Sequence, residues 1–241
     1  MILSDKIALV TGGSSGMGKA ICVALAKAEC NVVFTFQKNE TGAQETLKEM
    51  GKGKGFKVDL HNEKELDEVF SYIKNEYGHL DILVNNAGIN RPRDLFAMDV
   101  WKEVFQVDLF SAVYACGKSI DLMSKGGKIL NITSIYGDGK TCFKGLPAYG
   151  AAKSALNHFT QTLAKNFAPN VLVNAIAPGY VQTPLWKDVS EEEFKTSGKE
   201  QLIERMIQPE EIADIAISVI KSDAMTGEII RVDGGISLKT I

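Results

Sequence analysis

The sequence predicts a single α/β domain: a doubly wound, parallel sheet of about seven strands with helices on both faces. Three observations carry this. Short apolar runs alternate with longer amphipathic stretches from one end of the chain to the other, the pattern of repeated β-α units. The runs are too continuously apolar for a sheet with one wet face, and strands buried on both faces read this way. A glycine-rich stretch, "TGGSSGMG" at 11–18, stands between the first run and the first amphipathic stretch. No linker, low-complexity segment or internal repeat interrupts the 241 residues, so the domain spans 1–241.

The elements follow in order. "KIALV" (6–10) is the first strand and 17–28 the first helix; "NVVFTF" (31–36) is the second strand and 41–50 the second helix. "GFKVDL" (55–60) is the third strand. The helix over 63–76 turns Leu66, Val69, Phe70 and Ile73 inward and its acids and lysines outward. "DILVNNAG" (81–88) is strand four, 99–123 one long helix, and "GKILNITS" (127–134) strand five. A helix carrying "AYGAAK" runs to about 167, and "VLVNAIAPG" (171–179) is strand six. Residues 190–206 are charged and helical, with Ser190 suited to cap and "EEE" to the positive end of the dipole. Pro209 opens a helix over 209–221, and "GEIIRVDGG" (227–235) is the last strand.

Bulk composition excludes several function classes. Formal net charge is −3 with no basic block, which disfavours nucleic acid and anionic membranes as partners. The four cysteines show no metal-ligand spacing. His61, His79 and His158 are isolated, so no metal site is expected. The chain enters "KIALVTGG" without a basic region and apolar signal core, and no run of 18 apolar residues occurs, which predicts a soluble cytoplasmic protein.

Two stretches point to chemistry. Gly12, Gly16 and Gly18 follow the first strand. Glycines there permit a tight turn, bare backbone beside a pyrophosphate and close helix–sheet packing, with the helix N-terminus facing the phosphates. A dinucleotide site is the expectation. In "AYGAAK", Tyr149 and Lys153 share one face of a helix, with Gly150, Ala151 and Ala152 leaving room beside them. An ammonium about 4 Å from a phenol stabilises phenolate by about 4 kcal/mol at an effective dielectric near 20. That is roughly three pKa units, which would bring the phenol towards neutrality, where acid–base catalysis is efficient.

With Asp59, "NNAG" (85–88), Ser134, "PG" (178–179), Thr183 and "VDGG" (232–235) in this order, the chain resembles the short-chain dehydrogenase/reductase family over nearly its whole length. Within that family it looks most like the 3-oxoacyl-thioester (acyl-carrier-protein) reductases of fatty-acid synthesis, on "DILVNNAGI" and "PEEIA". The resemblance implies a Rossmann fold and hydride transfer between a nicotinamide and a ketone or secondary alcohol. It makes Tyr149 the proton donor and acceptor. Lys153 lowers its pKa and holds the nicotinamide ribose, and Ser134 orients the substrate oxygen. The family's fourth catalytic member is an Asn in the helix before strand five. Asp108 stands there, which puts the water-mediated proton relay from Lys153 in question, since an ionised aspartate only accepts hydrogen bonds.

By the same resemblance the cofactor lies on Gly12, Ser14, Ser15, Gly16, Met17 and Gly18 of the loop, and on Asp59 and Leu60, with Asp59 accepting from the adenine amino group. It continues over Asn86, Ala87 and Gly88, then Tyr149 and Lys153, and ends at Pro178, Gly179, Val181 and Thr183. Strand two ends at Phe36 where NAD-binding relatives carry an Asp, and Lys38 is two places on. NADP(H) is therefore favoured over NAD(H), although Ser15 stands where NADP-preferring relatives often have Arg or Lys.

Residues 180–206 are expected to form a flap over the substrate, with Ile135, Tyr136, Phe143, Leu146 and Trp186 lining an apolar pocket. Lys125, Lys128 and Lys165 are the basic residues available to meet an acidic carrier protein. The expected substrate is a small-molecule ketone or acyl thioester, with a coenzyme A thioester, sterol-like ketone, sugar and small ketone all open. A dinucleotide-binding regulator, or a dehydratase or epimerase on the same scaffold, are the competing functions. The family resemblance implies a homotetramer, with helices 99–123 and 149–167 and the C-terminal strand packed between subunits.

Overall fold

A computed structural model of the chain describes residues 1–92, 95–124, 126–138, 141–143, 145–187 and 189–239. Seven parallel strands form one sheet: β1 (Ile7–Val10), β2 (Asn31–Phe36), β3 (Lys54–Lys57), β4 (Ile82–Asn85), β5 (Gly127–Ile132), β6 (Val171–Pro178) and β7 (Ile229–Val232). Their order is β3-β2-β1-β4-β5-β6-β7. The chain turns back on itself between β1 and β4, and that switch leaves a crevice at the carboxyl ends of the strands, where ligands bind in such sheets.

Strand alternation builds both faces. Ala8 and Val10 of β1, with Val32 and Phe34 of β2, pack with Ile21, Cys22 and Leu25 of α1 (Gly16–Lys27) and Ile212, Ala216 and Val219 of α8 (Pro209–Lys221). Ile7, Leu9 and Val33 point the other way. They meet Leu66, Val69, Phe70 and Ile73 of α3 (Leu66–Tyr77), Cys116 of α5 (Ser111–Ile120) and Leu163 of α6 (Pro147–Phe167). Helix α2 (Glu40–Met50) is capped by Asn39 and stops at Gly51, whose φ of 75° suits glycine. Helix α8 starts with Pro209 and a capping box between Gln208 and Glu211.

Several boundaries differ from the sequence reading. Strand three ends at Lys57 and strand four at Asn85, so Asp59, Leu60 and "NAG" lie on loops beyond the sheet edge. The long helix 99–123 is α4 (Met98–Phe105), a π-helical turn at Gln106–Phe110, and α5. The wider turn brings Asp108 inward, where Ile89 N–H donates to its carboxylate at 2.8 Å. Helix α7 is Glu191–Glu200, capped by Ser190, and the chain leaves the helix where the sequence pattern continued to 206. A last short helix, α9 (Ile236–Lys239), follows β7 and was not predicted. Among the described residues no helix is long and apolar enough to cross a membrane.

Candidate active site

The glycine loop leaves β1 with Gly12 at φ +72° and enters α1 through Gly16 at φ +51°. Both values favour glycine. At Gly18 a Cβ would stand 2.2 Å from the Gly12 carbonyl oxygen and 2.4 Å from Asn86 Nδ2. At Gly16 it would press on Thr183 at 3.1 Å. Bare backbone is thus required here, and a pyrophosphate at the α1 N-terminus fits this cradle. Asn86 uses its side chain to brace the loop, donating to Thr11 and Gly12 carbonyls at 2.9 and 3.1 Å. Its backbone, with Ala87, is held by Thr11 Oγ1. Ser14 accepts from Asn39 Nδ2 through its carbonyl.

Asp59 sits at the far end of the crevice. Its Oδ1 accepts from Gln37 Nε2 at 2.7 Å and from His61 N at 3.1 Å. Burial opposes its ionisation, but hydrogen bonds from His61 and Gln37 outweigh that and hold the carboxyl below its ordinary range. Lys38 is exposed on the turn after β2. Leu60, buried, completes this end.

At the other end, Ser134 follows β5 and Tyr149 and Lys153 lie on α6. Ser134 lies near enough to the Tyr149 phenol to pull it down, and it accepts from Tyr136 N at 3.1 Å. Lys153 Nζ is 5.5 Å from the Tyr149 ring centroid, donates to the Ile132 carbonyl at 3.1 Å and lies 3.1 Å from Asp108 Oδ2. The lysine and aspartate side chains are both fully enclosed, at 4% and 0% exposure. Burial opposes the charge of both groups: it holds Asp108 above the usual carboxylate range although Lys153 pulls it down, and it would lower Lys153, which Asp108 brings back above the usual lysine range. Asp108 therefore meets Lys153 directly, where the resemblance places a water between them. Gly88 makes room for this pair, since a Cβ there would be 2.7 Å from Asp108 Oδ2.

One expectation about "AYGAAK" needs correction. Burial, the largest influence, pushes the Tyr149 phenol above its usual range; Lys153 pulls it down, but Asp108 pushes it up again. The expected drop towards neutrality is absent because burial outweighs the lysine, whose charge Asp108 also opposes. The small residues also serve the protein itself. A Cβ on Gly150 would lie 3.0 Å from the Tyr136 carbonyl oxygen, and Ala152 packs against Val100 and Val104 of α4.

A cavity of about 560 Å³ opens over Ser134 and Tyr149, within the size range of small-molecule sites. Tyr136, Phe143, Leu146 and Trp186 line it as expected, together with Met17, Pro178, Gly179, Val181 and Thr183. Ile135 does not; it is buried, at 3% exposure. Sequence reasoning missed Asn90 in the lining, while Tyr180 and Glu200 belong to the 180–206 segment expected over the substrate. Lys128 is buried and bonded to Asp223 and the Ser222 carbonyl, so it is no surface contact for a carrier protein. Lys125 lies outside the described residues. Among the described residues no group of three His, Cys, Asp or Glu side chains could hold a metal ion.

Residues 6–194 match the family model described as short chain dehydrogenase. The chain belongs to the short-chain dehydrogenase family. It is 38% identical to the 3-oxoacyl-[acyl-carrier-protein] reductase of Aquifex aeolicus, over 97% of this chain and 98% of that one. It is 33% identical to carbonyl reductase family member 4 of Xenopus laevis, over 97% and 99%. A Burkholderia cenocepacia short chain dehydrogenase solved in complex with NADP superposes with a TM-score of 0.90 at 26% identity, covering 98% of this chain and 99% of that one. This short-chain dehydrogenase is thus an oxidoreductase of the NAD(P)-binding kind, and its crevice has the bare-backbone cradle that such a cofactor needs.

Proposed function

We propose that this short-chain dehydrogenase reduces a ketone to a secondary alcohol with NADPH, and that Tyr149 gives the proton. The observation that carries the reading is the convergence at one cavity: Ser134 and Tyr149 both line it, with the buried Lys153–Asp108 pair beside them. The nicotinamide, when bound, supplies the hydride. The chain's own residues do the rest. Ser134 donates to the carbonyl oxygen and fixes it beside the phenol. Tyr149 passes its proton to that oxygen as charge builds there. The resulting phenolate faces the Lys153 ammonium. That charge favours the phenolate, since Lys153 pulls the phenol down against burial. A phenol held above its usual range is fully protonated at neutrality, which suits giving a proton rather than taking one.

Lys153, Thr183 and the backbone at Gly88, Pro178 and Gly179 would hold the nicotinamide half. The loop from Gly12 to Gly18 would hold the pyrophosphate, and Asp59 and Leu60 the adenine. NADP(H) is preferred because β2 ends at Phe36 without a carboxylate and Lys38 stands exposed two places on. The named relatives support a 3-oxoacyl thioester as substrate. The burial of Lys128 favours a second reading, a ketone not delivered on an acidic carrier. Residues 1–241 then act as one domain, with 180–206 as the flap over the cavity.

The test is a panel of ketones and 3-oxoacyl thioesters with NADPH and NADH, read by nicotinamide absorbance. Cofactor oxidation with at least one ketone is expected. Its absence across the panel, with cofactor binding intact, would favour a regulator or a dehydratase.

A further inference from the structure

At the far end of the crevice the Asp59 carboxylate is bonded through one oxygen only. Its Oδ1 accepts three hydrogen bonds, from Gln37 Nε2 at 2.7 Å, His61 Nδ1 at 2.7 Å and His61 N at 3.1 Å. Its Oδ2 accepts none from the described residues. Burial opposes the charge of Asp59, but the bonds from His61 and Gln37 hold the group ionised. An ionised carboxylate has no proton to give, so His61 Nδ1 carries the proton in that contact. With about two lone-pair sites on each oxygen, Oδ1 is filled. Oδ2 is left for a donor arriving in the crevice.

His61, isolated in the sequence, is braced in the fold. Its Nε2 lies 3.6 Å from Glu103 Oε1 on α4. Glu103 is itself held by Arg91, through Nη2 at 3.1 Å and Nε at 3.3 Å. Gln106, at the start of the π-helical turn, donates to the Leu60 carbonyl at 3.5 Å and to Glu63 at 3.0 Å. The loop that carries His61 is thus pinned to the helix segment beside its ring. Asp59 N–H donates to Glu65 at 2.7 Å, which fixes the backbone as well. Gln37 follows β2 and His61 follows β3, so the carboxylate is gripped from two neighbouring strand ends. Asp59 and His61 are 46% and 40% exposed. A loose aspartate on such a surface would turn among several rotamers; this one is fixed before a ligand arrives.

We propose that His61 is a positioning residue for the cofactor: its ring holds Asp59 Oδ1 so that Oδ2 meets the exocyclic amino group of the adenine. This rests on the reading of the crevice as a dinucleotide site with Asp59 at its adenine end. His61 acts through Asp59, and its contribution is preorganisation. A carboxylate fixed in advance spares the ligand the cost of ordering a loose side chain, which is about fivefold in affinity. The bond also discriminates between bases. Hypoxanthine has a carbonyl oxygen in place of the amino group, and would set two acceptors against each other. About tenfold is the scale of that preference.

The experiment measures Kd by isothermal titration for NADPH and for its hypoxanthine analogue, with no substrate present. The wild type should favour NADPH by about tenfold. Asp59→Asn, whose amide can donate to the hypoxanthine oxygen, should bring the ratio towards one. His61→Ala should raise the NADPH Kd about fivefold and leave that of the analogue within about twofold of wild type, so most of the ratio is lost. His61→Asn keeps a side-chain N–H close to the place of Nδ1 and should retain most of the ratio. A merely structural role predicts that both Kd values rise together and the ratio stays where it was. A ratio that Asp59→Asn abolishes and His61→Ala leaves intact overturns the proposal alone. A wild-type ratio near one, unmoved by Asp59→Asn, overturns the placement of adenine at Asp59 and the proposal with it.

Discussion

The Lys153–Asp108 pair can be tested with a double-mutant cycle. Two unit charges 3.1 Å apart attract by about 5 kcal/mol at an effective dielectric of about 20. Burial of both groups opposes this by several kcal/mol for each ion. The net worth of the pair is therefore small, but breaking it from one side leaves a lone buried charge. Asp108→Asn keeps an oxygen for the Ile89 N–H and removes only the charge. Lys153→Met removes the opposite charge at similar volume. Each single variant should lose about 3–5 kcal/mol of stability, or roughly 10 °C in Tm for a chain of this size. The double variant, with neither charge left, should lose less than the sum by at least about 2 kcal/mol. Urea titrations at one fixed protein concentration give all four corners. Additive losses, or single losses below about 1 kcal/mol, would show that the two side chains do not act as a buried ion pair.

Three further outcomes are expected. NADP(H) should bind more tightly than NAD(H), with Lys38→Ala removing much of the difference; isothermal titration showing NADH tighter would reverse that reading. Arg205, donating to Glu211 at 2.6 and 2.8 Å, holds the Glu211 carboxyl down at about 2, below its ordinary 4.5. A lowered carboxyl pKa stabilises the fold above the unfolded value and loses that effect as pH falls through the folded one. Glu211→Gln should thus be less stable than wild type at neutrality, and the gap should close between pH 4.5 and about 2; a gap independent of pH would refute the assignment. Light scattering should return four times the 26.2 kDa chain mass, with Phe110 and Val113, exposed on and next to α5, covered in the assembly; a monomer mass at micromolar concentration would contradict it.

The parts of this molecule that were legible in the sequence are those set by local pattern. Val32 and Val33 point to opposite faces because strand periodicity is two, and the continuous apolar run already announced both faces. The glycine loop was legible because only a bare backbone fits against Gly12 and Asn86. The π-helical turn was not. One wider turn leaves no mark on composition, and its consequence, Asp108 reaching Lys153, depends on packing between α4, α6 and the end of β4. The Tyr149 phenol was misjudged for the same reason: a spacing of four reveals the lysine, while burial and the opposing Asp108 charge are tertiary facts. Tyr136 and Tyr180 meet across 44 residues of sequence, with no periodicity to link them.

The central claim is that Tyr149 is the proton donor in nicotinamide-dependent carbonyl reduction. Tyr149→Phe removes only the transferable proton and leaves ring packing against α4 in place. Its kcat with NADPH and the best ketone of the panel should fall by about 10² to 10⁴, while its NADPH Kd stays within about threefold of wild type. A Tyr149→Phe variant that turns over at close to the wild-type rate would place the chemistry elsewhere.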